Sequence, residues 1–122
     1  MALSCEGISH QIASAIITYK ILGLGTINDC KIAVRELIRR YKEPLSKENR
    51  QIRYYSRLLS DGVKIIEEHL YPVNAITHHF LDIDNPHDRV ALALYIDNYL
   101  AKNAVLVHIT KDEDKILNLH YK

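Results

Sequence analysis

The positions of the helix-breaking residues constrain this chain most. Glycine or proline interrupts it at four places: Gly23-Leu24-Gly25, Glu43-Pro44, Tyr71-Pro72 and Asn85-Pro86. The residue before a proline is pushed out of the helical region, and glycine and proline are the poorest helix formers. These breaks divide the chain into short segments. Because 122 residues is the size of one ordinary domain, we expect a single domain, residues 1–122.

Two helices are predicted before the second break. Residues 8–22 place apolar side chains at helical spacing, and residues 27–42 do so more clearly, with an apolar stripe that runs from Cys30 to Tyr41. Thr26 is a suitable N-cap for the second helix. Asp29 lies in its first turn, where a negative charge suits the helix dipole.

The segment from Lys47 to Leu70 is predicted to form the longest helix, with Ser46 as its N-cap. Its apolar residues recur at helical intervals along the whole segment, at Ile52, Tyr55, Leu59, Val63, Ile66 and Leu70. The sequence therefore predicts one continuous apolar face here.

Two further helices are predicted between the third break and residue 102. The first is a short helix over residues 73–81. The second is capped by Asn85, has Pro86 at its first position and extends to about Lys102. Every residue from Val90 to Ile96 is apolar, so this helix either lies at the centre of the fold or forms a homodimer surface.

The C-terminal part changes from a helical to an alternating pattern, which is typical of a β-hairpin. A loop of residues 111–115 would place each apolar residue opposite another one, and the pairs would be Ile109 with Leu117, Val107 with Leu119 and Val105 with Tyr121. The predicted fold class is therefore α+β, mainly a bundle of four to five helices with a C-terminal β-hairpin.

The charge is distributed unevenly along the chain. Residues 31–64 contain ten basic and four acidic residues, a net charge of +6, whereas the rest of the chain has six basic and eleven acidic residues, a net charge of −5. On a helix over residues 47–70 the basic residues would cluster opposite the apolar face. The predicted site for nucleic acid or another partner consists of Arg39, Arg40, Lys42, Lys47, Arg50, Arg53, Tyr54 and Arg57.

These residue types suit a nucleic acid, because Arg and Lys contact phosphates and Tyr54 offers a surface on which a base can stack. The sequence therefore predicts a non-enzymatic accessory or regulatory protein that binds nucleic acid or a nucleic-acid-handling complex. Two other interpretations of the basic face remain open. It is either an ordinary solvated face, or the docking face of a small inhibitor or immunity-type protein for an acidic partner surface.

A metal-dependent hydrolase is a third hypothesis, based on His69, His78, His79 and His87. Adjacent His78 and His79 point apart on a helix, which argues against one shared metal ion. His69 with Glu67 offers an acid–base pair, but no nucleophile accompanies it. No phosphate-binding loop, dinucleotide motif, HExxH or CxxC is present, so we expect no metal, no cofactor and no catalytic residues.

Two comparisons with known folds arise from the sequence. A helix followed by a hairpin suggests a winged-helix DNA reader, but the apolar stretch Val90–Ile96 lacks the polar face that reads bases.

Ile52-Arg53-Tyr54 and Lys64-Ile65-Ile66-Glu67 resemble the long arginine-rich helix of the GINS replication-complex family, and Tyr99-Leu100 with Val107-His108 is similar to its next helix. The resemblance covers about fifty of the 122 residues and implies that residues 52–67 are helical. Asp61-Gly62-Val63 departs from it, because the family favours a basic and a leucine residue there.

The expected location is the cytoplasm. No stretch approaches the roughly 18 apolar residues that cross a bilayer. Residues 1–6 lack the basic segment of a secretory signal. The two cysteines, Cys5 and Cys30, are too few for a disulfide framework.

Overall fold

A computed structural model describes residues 3–45, 52–55, 66–69 and 71–110, with only the backbone for residues 52–55, 68 and 107–109. This part of the chain is mostly helical. Its elements, in chain order, are α1 (Cys5–Lys20), α2 (Ile27–Arg40), β1 (Ile52–Tyr55), β2 (Ile66–His69), α3 (Val73–Leu81), α4 (Arg89–Asn103) and β3 (Leu106–Ile109). None of the described helices is long and apolar enough to cross a membrane.

Helix α1 supplies the central apolar stripe of the core. Ser4 is its N-cap and accepts a hydrogen bond from the Gly7 N–H. Ile8, Ile12 and Ile16 recur every four residues, are almost completely buried and belong to the main core cluster. Because this stripe contacts both α2 and α4, α1 joins the other two long helices.

The prediction for α2 is confirmed in its start and in its buried face. Thr26 and Asp29 form a reciprocal capping box, in which each side chain accepts the other residue's backbone N–H. Cys30, Val34 and Ile38 are buried, as the stripe predicts. The last turn carries Arg39 and Arg40, where positive charge suits the helix dipole.

A polar network joins three elements inside the core. The Tyr41 hydroxyl donates to Asp97 Oδ1 over 2.7 Å, and the Ser9 hydroxyl lies 3.3 Å from the same oxygen. Tyr41 and Ser9 are buried, and Ser9 also donates to the Cys5 carbonyl. Burial and the hydrogen bond to Asp97 hold the pKa of the Tyr41 phenol far above its usual range, so this group stays protonated and remains a donor.

The predicted helix over residues 47–70 is wrong, because residues 52–55 and 66–69 form strands β1 and β2. The helical structure that the resemblance to the GINS family implies is wrong for the same reason. Ile52, Tyr54 and Tyr55 are residue types that favour strands, and Gly62 lies in the middle of the predicted helix, where it costs about 1 kcal/mol. Lys47, Arg50 and Arg57 lie outside the described residues.

The predicted C-terminal β-hairpin is also wrong. Strand β3 does form at Leu106–Ile109, but it lies in the middle of a three-stranded sheet of order β1-β3-β2. It pairs in parallel with β1 and antiparallel with β2, so that Ile66 lies opposite Ile109. A strand has two edges, and both are occupied, which leaves none for the predicted pairing with residues 117–121. Those residues lie outside the described chain.

The short helix at residues 73–81 is confirmed, whereas the start of α4 differs from its prediction. The N-cap is Asp88, which accepts hydrogen bonds from the N–H groups of Val90 and Ala91. Asn85, the predicted cap, has a φ of 50° and belongs to the preceding loop. The Asn-Pro pair imitates a helix start, but the backbone turns at Asn85 before the helix begins.

Lys20 links the end of α1 to the end of α3. Its Nζ donates to the carbonyl oxygens of Leu81 and Ile83, over 2.6 and 2.7 Å. These carbonyls lie at and just beyond the C-terminal end of α3, where the helix leaves acceptors unsatisfied and where a positive charge is favourable.

The variant Lys20→Met should lower the free energy of unfolding by about 1–2 kcal/mol, because it removes both bonds to a charged donor while the aliphatic stem remains. Urea denaturation followed by circular dichroism measures the change. Lys31→Met, at a half-buried lysine of α2, is the matched control and should change stability by less than about 0.5 kcal/mol. Equal losses of stability in the two variants would show that Lys20 does not hold the end of α3.

Candidate functional site

A cavity of about 270 Å³ lies where the end of α2, strand β2 and the start of α3 meet. Its described lining consists of Arg39, Lys42, Glu67, His69, Pro72, Val73 and Asn74. Two cationic side chains and one carboxylate therefore face the same space, together with an imidazole and the first turn of a helix.

The basic side chains near the cavity come from the last turn of α2 and the turn that follows it. Arg39 and Arg40 lie in the last turn of α2, and both are exposed. Lys42 follows in the turn after the helix. The Cys5 thiol contacts this turn, because it donates a hydrogen bond to the Tyr41 carbonyl. Because Tyr41 is buried and bonded to Asp97, the backbone between Arg40 and Lys42 has a fixed position relative to the core.

Lys42 is the cation with the least exposure at the cavity. Its Nζ lies 3.2 Å from Glu67 Oε1, and the two side chains are only 28% and 19% exposed. A half-buried ion pair of this kind is screened less by solvent than a surface pair. Glu67 therefore positions Lys42 and offsets part of its charge.

Arg39 has a different environment. Its Nη1 donates to Glu36 Oε1 over 2.8 Å, and both side chains are more than half exposed. An exposed pair in neighbouring turns contributes little to stability, about 0.3–0.5 kcal/mol. The guanidinium can therefore exchange Glu36 for another anion at little cost.

The first turn of α3 forms part of the cavity lining. Pro72 occupies the N-cap position, and no side chain of the described residues caps this turn. The first N–H groups of a helix point outward along its axis and carry a partial positive charge. Arg35 Nη1 donates to the Asn74 side chain over 3.2 Å, which ties this turn to α2.

The structure brings together part of the predicted site. Arg39 and Lys42 both line the cavity, and Arg40 is exposed in the last turn of α2. Arg53 and Tyr54 lie at consecutive positions of the short strand β1, so the predicted helical arrangement of a basic face with Tyr54 at its border is wrong. Lys47, Arg50 and Arg57 lie outside the described residues.

The sequence did not indicate the contribution of Pro72, Val73 and Asn74 to the lining, nor the partner of Glu67. Glu67 forms an ion pair with Lys42, which the charge pattern did not predict. Pro72, Val73 and Asn74 carry no charge, so a search based on charge passes over them. The one signal in the sequence is Pro72, which precedes a helix and leaves its N-terminus without a side-chain cap.

The histidines do not form a metal centre within the described part of the chain, where no group of three or more His, Cys, Asp or Glu side chains is placed to hold a metal ion. His79 stacks on Tyr99, with ring centroids 4.4 Å apart, and its Nε2 lies 2.7 Å from the Tyr95 hydroxyl. His78 is exposed on the same helix as His79, α3, and His87 is exposed in the loop before α4. The four predicted histidines therefore have separate environments.

Comparisons with known proteins give no relative for this chain. No family model, no curated protein and no solved structure matches it.

Proposed function

We propose that this protein is a non-enzymatic accessory protein that binds nucleic acid, and that the cavity at the end of α2 receives a backbone phosphate. The observation that carries the proposal is the convergence of Arg39, Lys42 and the first turn of α3 around one cavity. These groups come from two helices and the turn after α2, and each of them favours an anion.

The chemistry of the three donors suits a phosphate. The Arg39 guanidinium can make two parallel hydrogen bonds to phosphate oxygens, and Lys42 contributes a compact charge. The N–H groups at the start of α3 add neutral donors of fixed direction. Arg40 is the next residue after Arg39 and is exposed, so it offers a further cation for a neighbouring phosphate.

Arg39→Gln combined with Arg40→Gln should weaken the binding of labelled single-stranded or double-stranded oligonucleotides of mixed sequence by about tenfold or more. The slope of the logarithm of affinity against the logarithm of salt concentration should also fall by about 0.9 for each duplex phosphate that the variant no longer neutralises. Fluorescence anisotropy over a series of salt concentrations measures both effects.

Two further variants are compared in the same experiment. Lys31→Gln combined with Arg89→Gln removes the same charge away from the cavity and should leave most of the affinity intact. Glu67→Gln removes the carboxylate that competes for Lys42 and should strengthen binding.

The proposal fails if the protein binds none of the oligonucleotides at low salt, or if both double variants lose the same affinity. A polyglutamate peptide serves as the third probe. Binding of this peptide without binding of nucleic acid would indicate that the basic surface docks an acidic protein instead.

A further inference from the structure

The outer face of α4 is apolar although it lies in solvent. Its exposed residues between Val90 and Lys102 include Val90, Ala91, Leu94, Tyr95, Asn98 and Lys102. Val90 and Leu94 are 62% and 63% exposed, which is a large fraction for such side chains. The opposite face of the same helix is buried through Leu92, Ala93, Ile96 and Leu100, so the helix is apolar on both sides.

The other two long helices share this property less: α2 also exposes Ile27 and Ile32, but most of its exposed positions are polar. The exposed positions of α2 include Asn28, Asp29, Glu36, Arg39 and Arg40, and those of α1 include Glu6, Gln11 and Thr18. A polar outer face is what a helix needs when it meets only water. The outer face of α4 therefore has the composition of a contact surface.

Charged groups lie at the two ends of this face with opposite signs. Asp84 and Asp88 are exposed at its N-terminal end, and Lys102 is exposed at its C-terminal end. Asp88 and Lys102 are each seven residues from Tyr95, so the three positions lie in one line along the helix. The Asp88 cap uses Oδ1 for both of its hydrogen bonds to Val90 and Ala91, and Oδ2 can accept a further donor.

We propose that the outer face of α4 binds the same face of a second copy of this chain, with the two helices antiparallel around a two-fold axis. In this arrangement Lys102 of each copy lies opposite Asp88 of the other, and the two Tyr95 rings face each other near the axis. Leu94 of each copy packs beside Asn98 of the other. A parallel arrangement would instead place like charges together at both ends, which is unfavourable.

A second cavity favours the antiparallel pairing. It has a volume of about 250 Å³, lies at the N-terminal end of the face, and its lining includes Ile83, Asp84, Pro86, Asp88, Ala91 and Tyr95. A lysine suits this lining, because its aliphatic stem packs on Ile83 and Pro86 while its ammonium meets the two carboxylates. Lys102 of the second copy is the side chain that the pairing brings there.

The interface is small, because one helix face with its adjoining loop offers less area than a standard interface. The dimer is therefore expected to be reversible and concentration-dependent. Sedimentation velocity over a wide range of protein concentration should show a monomer–dimer equilibrium, and the Kd is then compared between variants.

Leu94→Lys should raise the dimer Kd by at least about tenfold, because it places a charge in the apolar interface. Leu22→Lys is the matched control, since Leu22 is 60% exposed on the loop between α1 and α2. Asn98→Leu should lower the Kd by adding apolar area on the same face, whereas Asn28→Leu on the outer face of α2 should leave it unchanged.

The orientation is tested by cross-linking. Under mild oxidation Tyr95→Cys should form an intermolecular disulfide readily, and Lys102→Cys should not, because only position 95 lies near the axis of an antiparallel pair. A protein that stays monomeric at high concentration, also with Asn98→Leu, would overturn the proposal. So would a dimer that Leu22→Lys disrupts and Leu94→Lys does not, or faster cross-linking at position 102 than at position 95.

Discussion

Phe80→Ala is expected to lower the free energy of unfolding by about 3–5 kcal/mol, which is a large share of the stability of a small domain. Phe80 is completely buried at the C-terminal end of α3 and forms a T-shaped contact with the Tyr99 ring, with ring centroids 5.3 Å apart. Alanine would leave a cavity between α3 and α4 that the rigid helices fill only in part. Urea denaturation followed by far-ultraviolet circular dichroism measures the change.

The same variant connects stability with the proposed site. The start of α3 forms one wall of the cationic cavity, so loosening α3 should also weaken oligonucleotide binding under conditions in which the protein stays folded. His78→Ala, at an exposed position of the same helix, is the control and should alter stability by less than about 0.5 kcal/mol. If Phe80→Ala destabilised the protein by less than about 1 kcal/mol, the position of α3 against the core would have to be revised.

Asp97→Ala is expected to lower the free energy of unfolding by about 2 kcal/mol. The carboxylate accepts the Tyr41 hydroxyl at 2.7 Å and lies 3.3 Å from the Ser9 hydroxyl, so its removal takes the best acceptor from buried Tyr41 and a second, longer contact from buried Ser9. The Asp97 carbonyl, 3.3 Å away, remains as an acceptor for Tyr41, and Ser9 keeps its 2.9 Å hydrogen bond to the Cys5 carbonyl, which keeps the destabilisation below that of Phe80→Ala.

A double-mutant cycle with Tyr41→Phe identifies the interaction responsible. Tyr41→Phe alone should cost about 1 kcal/mol, and the double variant should be less destabilised than the sum of the two single variants, because both remove the same hydrogen bond. If the stability losses of the two single variants sum to that of the double variant within about 0.5 kcal/mol, Tyr41 and Asp97 act independently.

Local signals explain which elements could be predicted. The start of α2 depends on Thr26 and Asp29, which lie three residues apart and cap the helix without help from the rest of the chain. The strands at residues 52–55 and 66–69 depend on pairing with residues 106–109, far away in the sequence. Apolar spacing within residues 47–70 fits a helix equally well, so the pattern alone could not reveal the sheet.

The candidate site was likewise predictable only where its residues are close together in the sequence. Arg39, Arg40 and Lys42 are close in sequence on and just after one helix, and an excess of basic residues is visible without a structure. The pairing of Lys42 with Glu67 and the approach of the start of α3 depend on how β2 and α3 pack against α2. Charge counting contains no information about that packing.

The hydrogen bond between Ser9 and Asp97 has a consequence for the synthesis of this chain on the ribosome. The two residues are 88 positions apart, and at about 5–20 residues per second the ribosome needs roughly 4–18 s to make the intervening segment. During this time Ile8, Ile12 and Ile16 can pack against α2, but the surface that they share with α4 stays open to water. A nascent chain of this protein therefore presents an apolar target to chaperones until α4 emerges and closes the core.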